Sequence, residues 1–548
     1  MVIGTTSQSQ DEYARTVSAI STALARGDFR RAYEIADWAI RRGLGGRVIH
    51  NARGLGLQAS GRHMEALEDF RKALEAAPKD APTLNAVGLS ELALQRLGNA
   101  QRAFEDAAAI DPNNALIQYR LGLVLAQLGE HKRAKECHER ALSLRSNFPE
   151  ASAALASIAA RTRNSKEARA HAEQTLAVDP TEPMAMHALA TLDLGEKRYE
   201  DAERGLRTLI ASGRLKPEAR ANALSLVGDA LEGMGRYAEA FETYRASNDE
   251  ARMQNLHRFE EERGSNTIRY MTAYFEKTDE TAWRQQDDGG HNPDGPEQHI
   301  FLLGFMRSGT TLLEQVLSSN PAIVALEEKS LLARLSTIHT TGVEALDALS
   351  TIHGENLEEA RADYWKGART YAGDLKGKVL VDKQPLNTIR LPLIAKLFPK
   401  AKIIFALRDP RDVVFSCYRR HFRINMAMFE FLDLEDSARF YASIMNLGDI
   451  YRRKLPLNIL DHRYEDMVMD FEGRVRAVCD FIGIEWDDSM RDFDKNAPHV
   501  DIRSPSAGQV QRPLYGEGIG QWRRYAEQLK PIQPILKPWV EKFGYPAE

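Results

Sequence analysis

HIFLLGFMRSGTTLLEQVLSS, residues 299–319, passes from an apolar run through a glycine-rich turn into a leucine-rich segment. Residues 299–303 read as a buried strand and 312–319 as the start of a helix. Between them Gly304, Phe305, Met306, Arg307, Ser308, Gly309, Thr310 and Thr311 keep the G-x-x-x-x-G spacing of a phosphate-binding loop. Such a loop turns backbone N–H groups toward an oxyanion at a helix N-terminus. Thr310 stands where nucleotide-hydrolysing proteins carry a lysine. Without that lysine the usual ATP or GTP chemistry loses its main charge for the γ-phosphate. Arg307 and the hydroxyls of Ser308, Thr310 and Thr311 remain as donors. Strand, turn and helix in this order predict an α/β domain with a central parallel sheet.

A second strand and turn lie downstream. Lys402-Ile403-Ile404-Phe405-Ala406-Leu407 is followed by Arg408, Asp409, Pro410, Arg411 and Asp412. Arg408, at the carboxyl end of a parallel strand, falls where open α/β sheets bind ligands. Ser416 and Arg420 are four apart and are expected on one helical face. An arginine fork with a hydroxyl suits a second phosphate. An NTPase strand here would end in a magnesium-binding Asp. Arg-Asp-Pro-Arg suits a metal-free anion site instead. Two anion sites on one sheet fit a nucleotide with phosphates at both ends of its ribose.

Upstream, QQDDGGHNPDGPEQ, residues 285–298, is rich in Gly, Pro, Asp and Asn, and it predicts a linker with a domain boundary near residue 297. Residues 252–278 read as further helix, apolar at Ile268, Met271 and Phe275. Before that the chain repeats itself. Ala32, Ala66, Ala100, Ala134, Ala168 and Ala202 are each 34 residues after the last. Gly54, Gly88 and Gly122 keep the period, as do Pro78, Pro112 and Pro180. Gly27, Gly61 and Gly129 form a third series, interrupted by Gln95. A period of 34 predicts helix–turn–helix repeats. The pattern slips by four residues and returns as Gly228, Gly235, Ala240 and Tyr244. The divisions expected are a repeat solenoid over 12–255, a helical connector and linker over 256–297, and an α/β domain over 298–548.

Composition limits the rest. The net charge of −5 over 548 residues argues against a nucleic-acid coat. No stretch approaches a membrane span, and the start lacks the basic and apolar regions of a signal peptide. Cys137, Cys417 and Cys479 form no CxxC pair, so neither a disulfide framework nor a structural zinc is expected. A cytoplasmic location is the default. Cys417 reads as packing rather than nucleophile.

The repeats resemble the tetratricopeptide family, whose arrays present a groove for peptides or proteins. RSGTT together with LRDPRDVVFS resembles the sulfotransferase family, and within it the protein-tyrosine sulfotransferase type and the bacterial proteins that fuse that domain to tetratricopeptide repeats. The resemblance implies a donor, 3′-phosphoadenosine 5′-phosphosulfate (PAPS), released as 3′,5′-adenosine bisphosphate, and no metal. It implies that Arg307, Ser308, Gly309, Thr310 and Thr311 hold the 5′-phosphosulfate. Arg408, Ser416 and Arg420 match the 3′-phosphate contacts, and Tyr464 a tyrosine beside the nucleotide. Glu328, in the pair Glu327-Glu328, matches the general base, which an acceptor hydroxyl of pKa about 10 requires. Lys383, in Asp-Lys-Gln-Pro, matches the lysine that stabilises charge on the transferred sulfuryl. Ser506 matches a serine that supports the transition state, and residues 516–522 a closing loop. There Gln521 stands where a basic residue is common, with Arg523 and Arg524 as candidates to replace it. Resemblance points to tyrosine in a protein docked by the repeats. A carbohydrate or small-molecule acceptor stays open, as does a nucleotide-binding scaffold acting through its repeats.

Overall fold

A computed structural model describes residues 7–162, 164–284, 294–496 and 518–547. The chain packs as two compact units, Met1–Arg214 and Leu215–Glu548.

The described part of the first unit is a succession of helices, from Ser7–Ala25 and Phe29–Arg41 to Tyr199–Ala211. All six alanines of the 34-residue series are fully buried. The glycine series has a steric cause. An added Cβ would come within 2.5 Å of Phe70 at Gly54, 2.7 Å of Phe104 at Gly88 and 2.6 Å of His138 at Gly122. Each ring comes from the following helix and fills the space a side chain would need. The turn series is left-handed, with φ of 72° at Gly27, 77° at Gly61 and 83° at Gly129. Gln95 and Lys197 adopt φ of 60° at the same place in their repeats, at a cost of about 1–2 kcal/mol each. The interruption seen in the sequence is one of residue type, and the turn geometry persists.

The second unit begins with the helices Pro217–Gly233 and Tyr237–Phe259. They form the same joint, since a Cβ on Gly228 would run into the Tyr244 ring. This pair packs on the α/β domain. Ser225 Oγ donates to the Arg419 carbonyl at 3.2 Å and Asn248 Nδ2 to the Tyr418 carbonyl at 2.8 Å. The Phe241 ring stacks on Phe415 with centroids 6.5 Å apart. The division by packing therefore lies upstream of the connector expected over 256–297. Periodicity assigns a helix pair to a repeat but does not say which neighbour it packs against. Helix Gly264–Lys277 follows and buries Ile268, Met271 and Phe275.

Among the described residues, five parallel strands form one sheet in the order β2-β3-β1-β4-β5. They are β1 (Gln298–Gly304), β2 (Ile323–Glu327), β3 (Val379–Lys383), β4 (Lys402–Leu407) and β5 (Asn458–Arg463). The chain runs from β1 to β2 and β3 on one side, then crosses to β4 on the other. The gap between β1 and β4 is thus a topological switch point, where such sheets bind ligands. The central strands are nearly continuous apolar runs because both faces are covered. On one face Ile300, Leu302, Val381 and Ile404 pack with Leu313, Val316, Leu317 and Val478. Among the described residues no helix is long and apolar enough to cross a membrane.

Gly88→Ala is expected to destabilise by about 1–3 kcal/mol through overpacking against Phe104. Gly205→Ala, in a helix where an added Cβ meets nothing within 4 Å, is expected to stabilise by about 0.5–1 kcal/mol. Thermal unfolding followed by circular dichroism separates the two, and a Gly88→Ala protein as stable as wild type would contradict the packing account of the period.

Candidate functional site

The loop after β1 and the turn after β4 open side by side at the switch point. Gly309 precedes helix Thr310–Ser318 with φ of 92°, and a Cβ there would lie 2.7 Å from Tyr464 Cδ2. Only glycine meets both conditions. Ser308, Thr310 and Thr311 are buried in the turn. Arg307 is itself left-handed, with φ of 65°, a conformation that costs about 1–3 kcal/mol and persists only where the surroundings fix it. Its Nε donates to Ser416 Oγ at 3.0 Å, and its carbonyl accepts from Arg408 Nη1 at 3.1 Å. The Arg408 guanidinium lies over the Tyr464 ring, 4.9 Å from the centroid. Residues expected at two phosphate sites, Arg307, Gly309, Arg408 and Ser416, thus line one continuous wall with Tyr464, expected beside the nucleotide.

Charge crowds this wall. Burial, and then Arg420, Arg408 and Arg419, hold the Arg307 guanidinium below the usual arginine range. Like charges gathered in a buried place favour an arriving anion, which relieves their repulsion.

Arg420 departs from its expected placement. The helix Pro410–Tyr418 ends before it, so Ser416 and Arg420 do not share a helical face. The Arg420 Nη1 instead pairs with Asp229 Oδ2 at 2.9 Å. Its neighbour Arg419, which the sequence reading passed over, is buried between Glu232 and Gln521. Arg419 Nη1 lies 2.5 Å from Glu232 Oε2, and Nη2 donates to Gln521 Oε1 at 2.6 Å. Arg419, its charge matched by Glu232, thus holds the segment at Gln521 through that bond. Arg523 lies over the Trp522 ring and Arg524 over Tyr237. The loop is strapped down by Asp412, whose carboxylate accepts from Gly520 N at 2.7 Å and Trp522 N at 2.8 Å. Ser506 lies outside the described residues, as do 516 and 517.

Toward β2 and β3 the chemistry changes sign. Lys383 ends β3 with its side chain fully buried. Its Nζ is 2.9 Å from Glu328 Oε1 and 3.1 Å from Glu314 Oε2. Burial disfavours its charge, but Glu314 and Glu328 outweigh burial and raise it above the ordinary lysine range. Glu328 is 37% exposed and left-handed at φ 47°, its N–H donating to the Lys383 carbonyl at 2.9 Å. A carboxylate open to solvent beside a buried cation can meet an incoming hydroxyl. Asp382 points to the other face of the sheet, where Tyr364 OH donates to it at 2.9 Å and burial pushes it up to about 7. Glu314 is a second residue the sequence reading missed. Its signal is a carboxylate between Leu313 and Leu317, both in the core. Burial pushes the Cys417 thiol up to about 12, which leaves no thiolate nucleophile.

Residues 299–488 match the sulfotransferase family, and residues 18–81 and 86–136 match the tetratricopeptide repeat. The chain joins tetratricopeptide repeats to a sulfotransferase domain. It is 26% identical over 348 residues to an uncharacterized protein of Aquifex aeolicus (strain VF5), covering 62% of this chain but 44% of that protein's length. It is 24% identical over 271 residues to protein-tyrosine sulfotransferase A of Caenorhabditis elegans, covering 47% of this chain and 70% of that one. Protein-tyrosine sulfotransferase 1 of Danio rerio is 25% identical over 266 residues, covering 45% and 72%.

In the sulfotransferase domain, Asp412→Ala is expected to release the segment around Gly520 and Trp522 at a cost of about 1–3 kcal/mol, leaving one buried and one half-buried amide unpaired. Hydrogen exchange at Gly520 and Trp522 is expected to speed up while the repeats keep their protection. Unchanged exchange there would remove Asp412 as the strap.

Proposed function

We propose that residues 298–548 transfer a sulfuryl group from PAPS to an acceptor hydroxyl, with tyrosine in a protein as acceptor and the repeats as its docking surface. The observation that carries this reading is the wall of Arg307, Arg408 and Ser416, whose crowded positive charge suits the phosphates of a 3′-phosphorylated nucleotide. The hydroxyl-bearing turn of Ser308, Thr310 and Thr311 suits the sulfuryl-bearing end, and Tyr464 the nucleotide flank. The likeness to protein-tyrosine sulfotransferases supports the choice of acceptor.

Each residue then has one task. Glu328 takes the proton of the acceptor hydroxyl, whose oxygen forms the new bond to sulfur as the bond to the donor phosphate oxygen breaks. Lys383 and Arg307 stabilise the charge gathering on that leaving oxygen. Holding the acceptor in line is the work of the loops at the carboxyl edge. Ser506 is assigned to the same transition state through the family resemblance.

Incubation with sulfur-labelled PAPS and a fractionated lysate tests the reading. Wild type is expected to label polypeptide at tyrosine, and Glu328→Ala to lower the rate about 10²–10⁴-fold. Label on glycan would reject the protein acceptor, and full activity of Glu328→Ala would reject the base.

A further inference from the structure

The carboxyl edge of the sheet holds two acids, Glu314 and Glu327, beyond the one this reaction uses. Lys383 Nζ sits between Glu328 Oε1 at 2.9 Å and Glu314 Oε2 at 3.1 Å. Glu327, at the end of β2 and in register with Lys383, adds a third negative charge nearby. One cation already faces a surplus of carboxylates. Arg307 and Arg408 meet the phosphates of an arriving nucleotide, but the field of those phosphates also reaches Glu314 in the helix after the loop and makes a buried negative charge there more costly. Glu328, 37% exposed, has its charge solvated and screened by water, whereas Glu314 is 1% exposed and does not. At a pH above about 8, where Glu314 is itself ionised, a proton on Glu314 relieves the surplus.

On the donor-site reading above, we infer that Glu314 is a positioning residue that takes up a proton from solvent when the nucleotide binds, freeing Lys383 to turn to the incoming phosphate. The proton rests on a carboxylate oxygen of Glu314 and returns to solvent when the product leaves. No other bond changes. The groups acting on Glu314 are Lys383 from β3 and Glu327 and Glu328 from β2 and its end. Burial pushes it up to about 8, against the pull of Lys383 and with the push of the two glutamates. An added anion raises it further. Uptake is therefore largest at a pH above the nucleotide-free value and below the nucleotide-bound one.

Calorimetry of 3′,5′-adenosine bisphosphate binding to the full chain, in buffers of different ionisation enthalpy, counts the protons taken up. Wild type is expected to take up protons at a pH just above 8, and Glu314→Gln to lose about one of them per chain. The ratio of wild-type to variant Kd is then expected to rise by up to about tenfold per pH unit over that range. Any uptake by Arg307 is common to both proteins, so the difference reports Glu314. Glu328→Gln is expected to keep the uptake. Unchanged uptake in Glu314→Gln overturns the inference, and so does loss of uptake in Glu328→Gln alone, which would put the proton on the base. If Glu314→Gln does not fold, Glu314→Asp carries the test: uptake must persist with its pH midpoint moved, and an unmoved midpoint overturns the inference. Absence of binding to wild type is a different result. It rejects the donor site itself, and this inference with it.

Discussion

Guanidinium groups repel one another, and this sheet gathers Arg307, Arg408, Arg419 and Arg420 near the carboxyl edge of β1 and β4. The fold treats them unequally. Arg419 and Arg420 are matched by Glu232 and Asp229 from the helix Pro217–Gly233. Arg307 and Arg408 are positioned by a hydroxyl and by backbone carbonyls. The site depends on this difference. Left-handed Arg307, glycine at 309 beside the Tyr464 ring, and the Asp412 strap all keep cations in place that would otherwise separate.

The neighbouring end of the same edge gathers carboxylates around Lys383. A cluster of guanidiniums and a cluster of carboxylates lie on adjacent strands of one sheet. Strain marks both, since Arg307 and Glu328 are the two non-glycine residues of the α/β domain with positive φ among the described residues. Backbone strain of this kind collects where a side chain must be aimed rather than packed.

Much of this was legible in the sequence, for physical reasons that also set its limits. A 34-residue period records a repeated steric contact, so the buried alanines and the glycines under Phe70, Phe104 and His138 could be read before any coordinates. Strand, turn and helix around Arg307, and the strand before Arg408, are local patterns that periodicity captures. Partners distant in sequence leave no such trace. Helical spacing put Arg420 beside Ser416, but the helix stops at Tyr418 and a carboxylate far upstream takes the side chain. Arg419 was overlooked because its role comes from Glu232 and Gln521, which no local pattern links to it. Glu314 did leave a mark, a charge at a core position, which means something only once Lys383 is known to lie opposite. The sequence expectation for Ser506 falls outside the described residues.

The helix pair Pro217–Phe259 carries the repeat signature yet supplies the counter-ions of the arginine cluster and, through Arg419, a hold on the closing loop. Ancestry and allegiance diverge in this hairpin. Evolution can lengthen, shorten or exchange the array ahead of Leu215 without touching those counter-ions. A crossover only one hairpin further along would leave the arginines of a transplanted domain without their acids, so shuffling of these modules is bounded by an ionic seam rather than by the end of the repeats.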